Sequence, residues 1–207
     1  MVFAKGHKNY HVGKNKMEVL ITENDFFTNV ERALNEIDEN WKTYHGLIIT
    51  GSHVPSEVEK KLEAIKRARE NNVPFLGICF GMQLAVIEYA RNVMNVHNAN
   101  TQEITMDTNY PVVHKLPELR VGIYPVNSWW GQSMESHWHN YSFNRAYHKY
   151  FEGDWDISYT GEIAEIMKLR KHPFFMGVQF HAEYQSSQEK PHPILFEFLR
   201  ICKLDYV

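Results

Sequence analysis

The stretch VPFLGICFGMQLAVIEYARN, residues 73–92, joins a continuously apolar run to a run with helical spacing. An uninterrupted apolar run is typical of a strand buried on both faces of a parallel sheet. Gly77 and Gly81 flank Cys79 and give the backbone room for the tight elbow that such a strand-to-helix junction needs. The sequence therefore predicts that the side chain of Cys79 projects at the edge of the sheet, beside the first turn of a helix.

The rest of the first half repeats the alternation of strand and helix. Residues 17–22 and 46–50 have the pattern of short strands, and residues 26–37 that of an amphipathic helix. A second helix is predicted near Ser56, which forms a capping-box pattern with Glu59. This order predicts an α/β fold with a mostly parallel central sheet flanked by helices, whose sites form at the carboxyl ends of the strands.

The second half of the chain is less regular. Residues 95–160 are rich in Asn, His, Trp and Tyr, and their strands are short and hard to place. Residues 162–170 and 174–180 have the pattern of paired strands, and residues 191–204 that of a C-terminal helix. We therefore expect a smaller antiparallel strand region in this half.

Composition limits the classes of function. The chain has 22 basic and 25 acidic residues, so its charge gives no reason to expect nucleic acid or an anionic membrane as a partner. No apolar segment approaches the roughly 20 residues that span a bilayer, and the N-terminus has no run of signal-peptide length. With two cysteines, we expect a reducing cytoplasmic location and a free thiol at Cys79.

The length of the chain fits a single domain over residues 1–207, of which residues 1–16 are a variable segment.

Cys79 has candidate catalytic partners further along the chain. A nucleophilic cysteine needs a base, and the base needs an orienting group. His181 follows an apolar strand and Glu183 comes two residues later, so on an extended backbone both side chains point to the same side. The helix that begins at the thiol presents its first amides, including that of Phe80, which favour a thiolate and can bind an oxyanion. Taken alone, this spacing fits a half-buried cysteine and a histidine at a strand end equally well.

Longer segments carry a family resemblance. PFLGICFGMQ followed by GVQFHAEY resembles the class I glutamine amidotransferase family. Together with ANTQE and HPILFEFL, the order of segments is most similar to the glutaminase domain of CTP synthase, over roughly residues 46–200. The resemblance implies a flavodoxin-like three-layer fold, no cofactor and a catalytic triad. In that triad Cys79 attacks the side-chain amide of glutamine, His181 relays the proton to the departing ammonia, and Glu183 orients His181. Hydrolysis of the thioester then yields glutamate.

The resemblance also implies residues that contact the amide donor. Gln83 and Glu103 match donor-contacting positions, and Glu103 would receive the α-ammonium group unless it is a solvated surface acid. His139 and Tyr141 belong to a segment that resembles the family pattern R-H-R-Y. The arginine that binds the donor's α-carboxylate is Asn140 here, and losing a charge-assisted pair costs on the order of 2 kcal/mol or more. We therefore expect a changed donor, such as a γ-glutamyl amide other than glutamine.

A glycine-rich loop is also altered. The family loop G-G-F-G builds part of the oxyanion hole and one wall of the glutamine pocket. This chain has Gly51, Ser52, His53 and Val54 in the same register, so only the first glycine is kept. We assign the first three to the donor pocket and the amide of Val54 to the oxyanion hole, because every residue except proline has an amide to donate.

The sequence offers no ATP site of its own. GHKNYHVGKN, residues 6–15, has the wrong spacing for a Walker motif. A chain of 207 residues also leaves no room for a synthetase domain. Ammonia is therefore expected to pass to a separate synthetase protein or to be released.

Two other kinds of function compete with amide hydrolysis. No metal is expected, since His137 and His139 share one side of a possible strand without a third ligand at metal-site spacing. The alternative is a glutaminase-like fold that has lost activity and serves as a binding or regulatory module. The altered glycine loop favours that alternative, and the retained triad opposes it.

A tryptophan cluster is interpreted as packing, as pocket wall or as a contact for a donor or partner. It consists of Trp129, Trp130 and Trp138.

Overall fold

The computed structural model describes residues 17–20, 25–52 and 54–204. The variable segment predicted at residues 1–16 lies outside them. The helices are α1 (Asp25–Ile37), α2 (Val58–Glu70), α3 (Phe80–Asn92), α4 (His148–Phe151) and α5 (Pro193–Leu204). The strands are β1 (Met17–Leu20), β2 (Gly46–Ile49), β3 (Phe75–Ile78), β4 (Asn100–Thr101), β5 (Pro111–Ser128), β6 (Gly131–Phe143), β7 (Trp155–Thr160), β8 (Ile163–Leu169) and β9 (Phe175–Val178). In this part of the chain, no helix has both the length and the apolar character needed to cross a membrane.

Six strands form the central sheet, in the order β1-β2-β3-β9-β8-β7. The first four run parallel, and β8 and β7 extend the sheet in antiparallel fashion. β2, β3 and β9 are buried along their whole length, which explains why their sequences are continuous apolar runs rather than alternating ones. Their carboxyl ends meet at one edge of the sheet, just before Gly51, Cys79 and His181.

Helices cover both faces of this sheet. α2 and α3 share a core with one face, and α1 and α5 share a core with the other. α3 is buried without interruption from Phe80 to Ala90. Its buried residues are mostly apolar, and the buried carboxylate of Glu88 pairs with Arg69 at 2.8 Å. The predicted α/β class is confirmed, as are its three layers, the pairing of β8 with β9 and the C-terminal helix.

A long hairpin dominates the second half of the chain. β4, β5 and β6 form a second sheet, in which β5 and β6 are antiparallel and Val121 lies opposite Trp138. This is the predicted antiparallel region, but β5 has 18 residues and β6 has 13, so the expectation of short strands is wrong. One face of the hairpin buries Glu135, His137 and His139.

The predicted capping box at α2 is wrong. The helix begins at Val58, after Glu57, whose φ of 47° is left-handed and whose side chain makes no capping bond. Ser56 instead offers its carbonyl oxygen to Lys61, whose ammonium donates over 3.0 Å. Glu59 pairs with Arg91 on α3 at 3.0 Å. The sharp turn at Glu57 thus replaces the side-chain cap.

Candidate active site

Cys79 occupies a sharp elbow between β3 and α3. Its φ of 52° and ψ of −103° are strained for a residue that has a Cβ. A Cβ on Gly77 would lie 2.6 Å from the backbone of Gly81, and a Cβ on Gly81 would lie 2.0 Å from the carbonyl oxygen of Ile49. The backbones therefore approach too closely for any side chain at these two positions. This is the elbow that the sequence predicted, with the thiol at the carboxyl edge of the sheet.

His181 and Glu183 form a buried pair. The Nδ1 atom of His181 lies 2.8 Å from Oε1 of Glu183, and both side chains are almost fully buried. The prediction that an extended backbone aligns them is wrong, because β9 ends at Val178 and residues Ala182–Gln185 form a 3-10 turn. The turn folds the carboxylate back onto the imidazole, so the two side chains still meet.

The surroundings of His181 favour its protonated form. Burial acts to lower its pKa, but the charge of Glu183 and the interaction with Cys79 outweigh burial and raise the pKa to about 10. A Cβ on Gly51 would lie 2.8 Å from Cε1 of His181 and 3.5 Å from Cβ of Cys79. Gly51 therefore packs directly on a thiol and imidazole that are suited to exchange a proton.

A cavity that encloses about 410 Å³, including the part open to solvent, lies above the thiol. Cys79 and Phe80 form part of its wall. Six residues that were predicted to contact a donor also line it, namely Ser52, Gln83, Glu103, His139, Asn140 and Tyr141. The fold thus gathers segments from β6, α3 and two loops around one sulfur atom.

The start of α3 presents backbone donors to this cavity. The first hydrogen bond within the helix runs from the amide of Gln83 to the carbonyl of Cys79 at 3.2 Å. The amides of residues 80–82 precede it and have no carbonyl four residues back within the helix. Phe80 lines the cavity, and its amide stays the predicted donor to a negative oxygen beside the thiol.

The loop after β2 does not supply the second donor that was predicted. The amide of Val54 donates to Oγ of Ser52 at 3.1 Å, and the Val54 side chain is 60% exposed. Val54 does not line the cavity, so its assignment to the oxyanion hole needs correction in this conformation. The hydroxyl of Ser52 captures the amide in a local turn. His53 lies outside the described residues.

Gln83 has one committed and one open polar atom. Its Nε2 donates to the carbonyl of Tyr141 at 3.2 Å. Its Oε1 is buried and has no partner among the described residues. A buried acceptor without a partner is costly, so the cavity is suited to a ligand that brings an N–H group to Gln83.

Glu103 brings a carboxylate to the cavity wall. Its amide donates to Oγ1 of Thr101 at 3.1 Å, which fixes the short loop that carries it. Burial raises the pKa of Glu103 to about 7. A cationic group in the cavity would restore the ionised form, since an opposite charge nearby lowers the pKa of a carboxyl. The alternative of a fully solvated surface acid does not fit this burial.

His139 is held neutral in the cavity wall. Its Nδ1 donates to the carbonyl of Tyr141 at 2.8 Å, so its Nε2 is left to accept from Nδ1 of His137 at 3.1 Å. Burial lowers the pKa of His139 to about 4 and that of His137 to about 2. Both ring nitrogens of His139 are therefore occupied by protein groups. Within the described ranges, no group of three or more His, Cys, Asp or Glu residues could hold a metal ion.

Sequence reasoning missed Gln179, which contacts the thiol. Its Nε2 donates to Sγ of Cys79 at 3.7 Å, and its side chain is fully buried. The side-chain amide of Gln179 is therefore a polar contact of the thiol. Gln179 stands two residues before His181 at the end of β9, and this proximity was the available signal.

The outer face of the hairpin was also missed. Leu119, Val121 and Ile123 on β5 and Met134 and Trp138 on β6 are each between 47% and 60% exposed. Because side chains two apart along a strand share a face, they form one strip, which we call the apolar strip. Leu119 and Trp138 also line the cavity, so the strip continues to its mouth. Of the tryptophan cluster, only Trp138 lines the cavity.

Comparisons with known proteins identify the family of the chain. The sequence profile of the family described as "Glutamine amidotransferase class-I" matches residues 10–201. A CTP synthase of Microcystis aeruginosa is 39% identical over 179 residues, which cover 75% of this chain and 33% of that protein. A CTP synthase of Shouchella clausii is 35% identical over 222 residues, which cover 95% of this chain and 40% of that protein. The chain thus spans about a third to two fifths of the length of these relatives.

Two solved structures share the fold at low sequence identity. The glutaminase domain of Trypanosoma brucei CTPS with bound acivicin has a TM-score of 0.81 and 20% identity, with 92% of this chain and 94% of that chain covered. A glutamine amidotransferase from Thermotoga maritima has a TM-score of 0.56 and 14% identity, with 94% of this chain and 98% of that chain covered.

Proposed function

The chain belongs to the class I glutamine amidotransferase family, and from this premise we propose that it hydrolyses a glutamine or γ-glutamyl side-chain amide through a thioester on Cys79. The observation that carries the proposal is the buried alignment of three groups beside the cavity. His181 interacts with Cys79 and lies 2.8 Å from Glu183. A nucleophile, a base and an orienting carboxylate in this order are the components of a catalytic triad.

The first half-reaction forms the thioester. His181 holds the proton of the Cys79–His181 pair on Nε2, and Sγ of Cys79 attacks the amide carbon of the donor. The amide of Phe80 stabilises the negative oxygen of the tetrahedral intermediate. The carbon–nitrogen bond then breaks, and His181 returns the proton to the departing ammonia. Glu183 keeps the Nδ1 proton of His181 in place throughout.

The second half-reaction regenerates the enzyme. His181 takes a proton from water as the oxygen attacks the thioester carbon. The carbon–sulfur bond breaks, and the thiolate regains its interaction with protonated His181. The γ-carboxylic acid gives its proton to solvent and leaves as a γ-carboxylate. His181 therefore acts as a general acid toward ammonia in the first half-reaction and as a general base toward water in the second.

Donor recognition is assigned to the cavity wall. Glu103 would pair with the donor's α-ammonium group, and Oε1 of Gln83 would accept from it. Asn140 and Tyr141 face the other end of the donor, with His139 as a neutral wall. Gly51 and Ser52 form the side of the donor pocket above the catalytic pair. The assignment of His53 to this pocket stays a prediction. A donor other than glutamine is favoured by Asn140.

Alkylation of Cys79 tests the proposal without depending on donor recognition. We expect iodoacetamide at about pH 6.5 to modify Cys79 much faster than an ordinary thiol of pKa about 8.5. His181→Gln should slow the modification to the ordinary rate, because the charge beside the sulfur is removed. Peptide mapping by mass spectrometry reports the site. An inert Cys79 would favour the alternative, a binding or regulatory module.

Gly51→Ala is expected to lower kcat for amide hydrolysis by about tenfold to a hundredfold. The added methyl group would lie 2.8 Å from Cε1 of His181, so the imidazole must move away from the thiol. Steady-state ammonia release measures the effect. Gly153→Ala is the matched control, since a Cβ there meets nothing within 4 Å. Unchanged kcat in a folded Gly51→Ala variant would contradict the placement of His181.

The KM for the donor is expected to fall as pH rises through about 7. Glu103 has its pKa raised to about 7 by burial, so its carboxyl is neutral below that pH and anionic above it. An ammonium group binds the anionic form, and KM should change by about tenfold per pH unit on the acid side. Glu103→Gln should raise KM and remove this dependence. If the variant kept the same profile, Glu103 would not be the ammonium site.

The proposal includes transfer of ammonia to a separate synthetase protein. The apolar strip supports a protein contact at the cavity mouth, where ammonia would leave. Ile123→Asp lies in the strip but not in the cavity wall, so ammonia release should be unchanged. Co-purification of an ammonia-consuming ligase, identified by mass spectrometry, should be lost in this variant. Equal recovery with wild type would contradict this contact.

A cytoplasmic location also remains part of the proposal.

A further inference from the structure

The charges that line the cavity are unbalanced. Among its described lining residues, Glu103 is the only carboxylate, and no lysine or arginine is present. His139 does not compensate, because its two ring nitrogens are held by His137 and the Tyr141 carbonyl at 3.1 and 2.8 Å. The cavity therefore offers one negative charge to a donor.

Cations outside the cavity wall are held by other protein groups. His181, protonated beside Cys79, is paired with Glu183 at 2.8 Å. Nη2 of Arg120 donates to Oε1 of Glu165 at 3.0 Å, and its guanidinium stacks on the ring of Tyr124 at 4.5 Å. The ammonium of Lys61 donates to the carbonyl of Ser56 at 3.0 Å. Neither Arg120 nor Lys61 lines the cavity. A free α-carboxylate would thus enter a partly buried space beside Glu103, with no lysine or arginine among the described lining residues to offset the lost hydration.

Asn140 has the chemistry of a neutral partner. Its side-chain amide has one acceptor and two donor hydrogens, so it can pair with the C=O and N–H of another amide. A guanidinium group would match a carboxylate instead. Asn140 lines the cavity and is partly buried, so its pairing preference bears directly on the donor.

The cavity mouth leaves room beyond the α-carboxyl group. Leu119 and Trp138 line the mouth and are 57% and 49% exposed. From there the apolar strip continues along the hairpin through Val121 and Ile123. A substituent on the α-carboxyl group would therefore leave the cavity along an apolar surface instead of meeting a closed wall.

We propose that the donor is a glutaminyl amide, which has a free α-ammonium group and an α-carboxyl group held in an amide bond. Such a donor carries one positive charge, which balances Glu103, whereas free glutamine is a zwitterion and leaves the cavity negative. Two sources share this chemistry, namely the α-amide of glutamine and the N-terminal glutamine residue of a peptide. The inference rests on the proposed hydrolysis: water replaces the γ-amide nitrogen, ammonia departs, and the α-amide is untouched.

The test compares three donors with wild-type protein at about pH 7.5, where the α-ammonium groups are still substantially charged. The donors are L-glutamine, L-glutaminamide and glutaminyl-glycinamide. Mass spectrometry must identify the γ-carboxylate product, and a Cys79→Ala blank subtracts spontaneous cyclisation. We expect kcat/KM for at least one α-amide donor to exceed that for glutamine by at least about tenfold. The better of the two amides identifies the source.

Asn140→Arg provides the reciprocal test. It should raise kcat/KM for glutamine and lower it for glutaminamide, with the ratio shifting by at least about tenfold. Thermal melting checks that the variant folds. If it does not fold, the comparison of the three donors with wild-type protein still tests the inference. A preference for glutamine in wild type would overturn the inference and leave the proposed hydrolysis intact. If no donor gave Cys79-dependent ammonia, both would fail.

Discussion

Cys79→Ala is expected to abolish ammonia release, with kcat reduced by at least about 10³-fold. The substitution removes the sulfur that forms the thioester. Water would then have to attack the unactivated amide directly. Cys79 lines an existing cavity, so the loss of its sulfur enlarges that cavity and should not prevent folding. Ammonia and γ-carboxylate release, measured together, report the effect.

The control for this substitution is Cys202→Ala. Cys202 is the other free cysteine and is fully buried on α5. Its replacement removes a sulfur from the core and should change stability without changing kcat. If Cys79→Ala retained ammonia release within about tenfold of wild type, the sulfur would not be the nucleophile.

Gly81→Ala is expected to destabilise the fold by about 3 kcal/mol or more. Helix propensity alone favours alanine over glycine by about 1 kcal/mol, but the clash is larger. The new Cβ would lie 2.0 Å from the carbonyl oxygen of Ile49 and 2.8 Å from its carbonyl carbon. These are backbone atoms of a buried parallel strand, so α3 would have to move away from β2.

Urea denaturation measures this loss as a fall in the free energy of unfolding. Gly153→Ala is again the matched control, because its Cβ would meet nothing within 4 Å, and its effect should stay within about 0.5 kcal/mol. A Gly81→Ala variant as stable as this control would show that the elbow tolerates separation of α3 from the sheet.

The parallel part of the fold could be predicted because burial of a strand on both faces gives a continuous run of apolar residues in the sequence. β2, β3 and β9 are apolar throughout, and the elbow glycines adjoin Cys79 in the sequence. Local geometry was harder to predict. The left-handed turn at Glu57 and the 3-10 turn after His181 depend on how neighbouring segments pack, and residue type alone does not determine that.

The hairpin escaped prediction because its pattern is inverted. β6 turns Glu135, His137 and His139 inward, whereas Trp138 and Met134 face outward. Hydrophobic alternation therefore does not mark the buried face of this hairpin. The cavity wall was predicted only where family resemblance supplied positions, such as Gln83 and Glu103. Gln179 and Leu119 had no such guide, and the direction of the Val54 amide depends on the hydroxyl of Ser52.

The central claim is a covalent γ-glutamyl thioester on Cys79, and acid-quenched intact-mass spectrometry during turnover tests it most directly. Glutamine and glutaminamide are each mixed with wild-type protein and quenched before the donor is exhausted. The predicted result is an acyl adduct that maps to Cys79, decays as the donor is consumed and is absent from Cys79→Ala. Ammonia release with no adduct on Cys79, even when hydroxylamine is added to trap an acyl group, would contradict the claim.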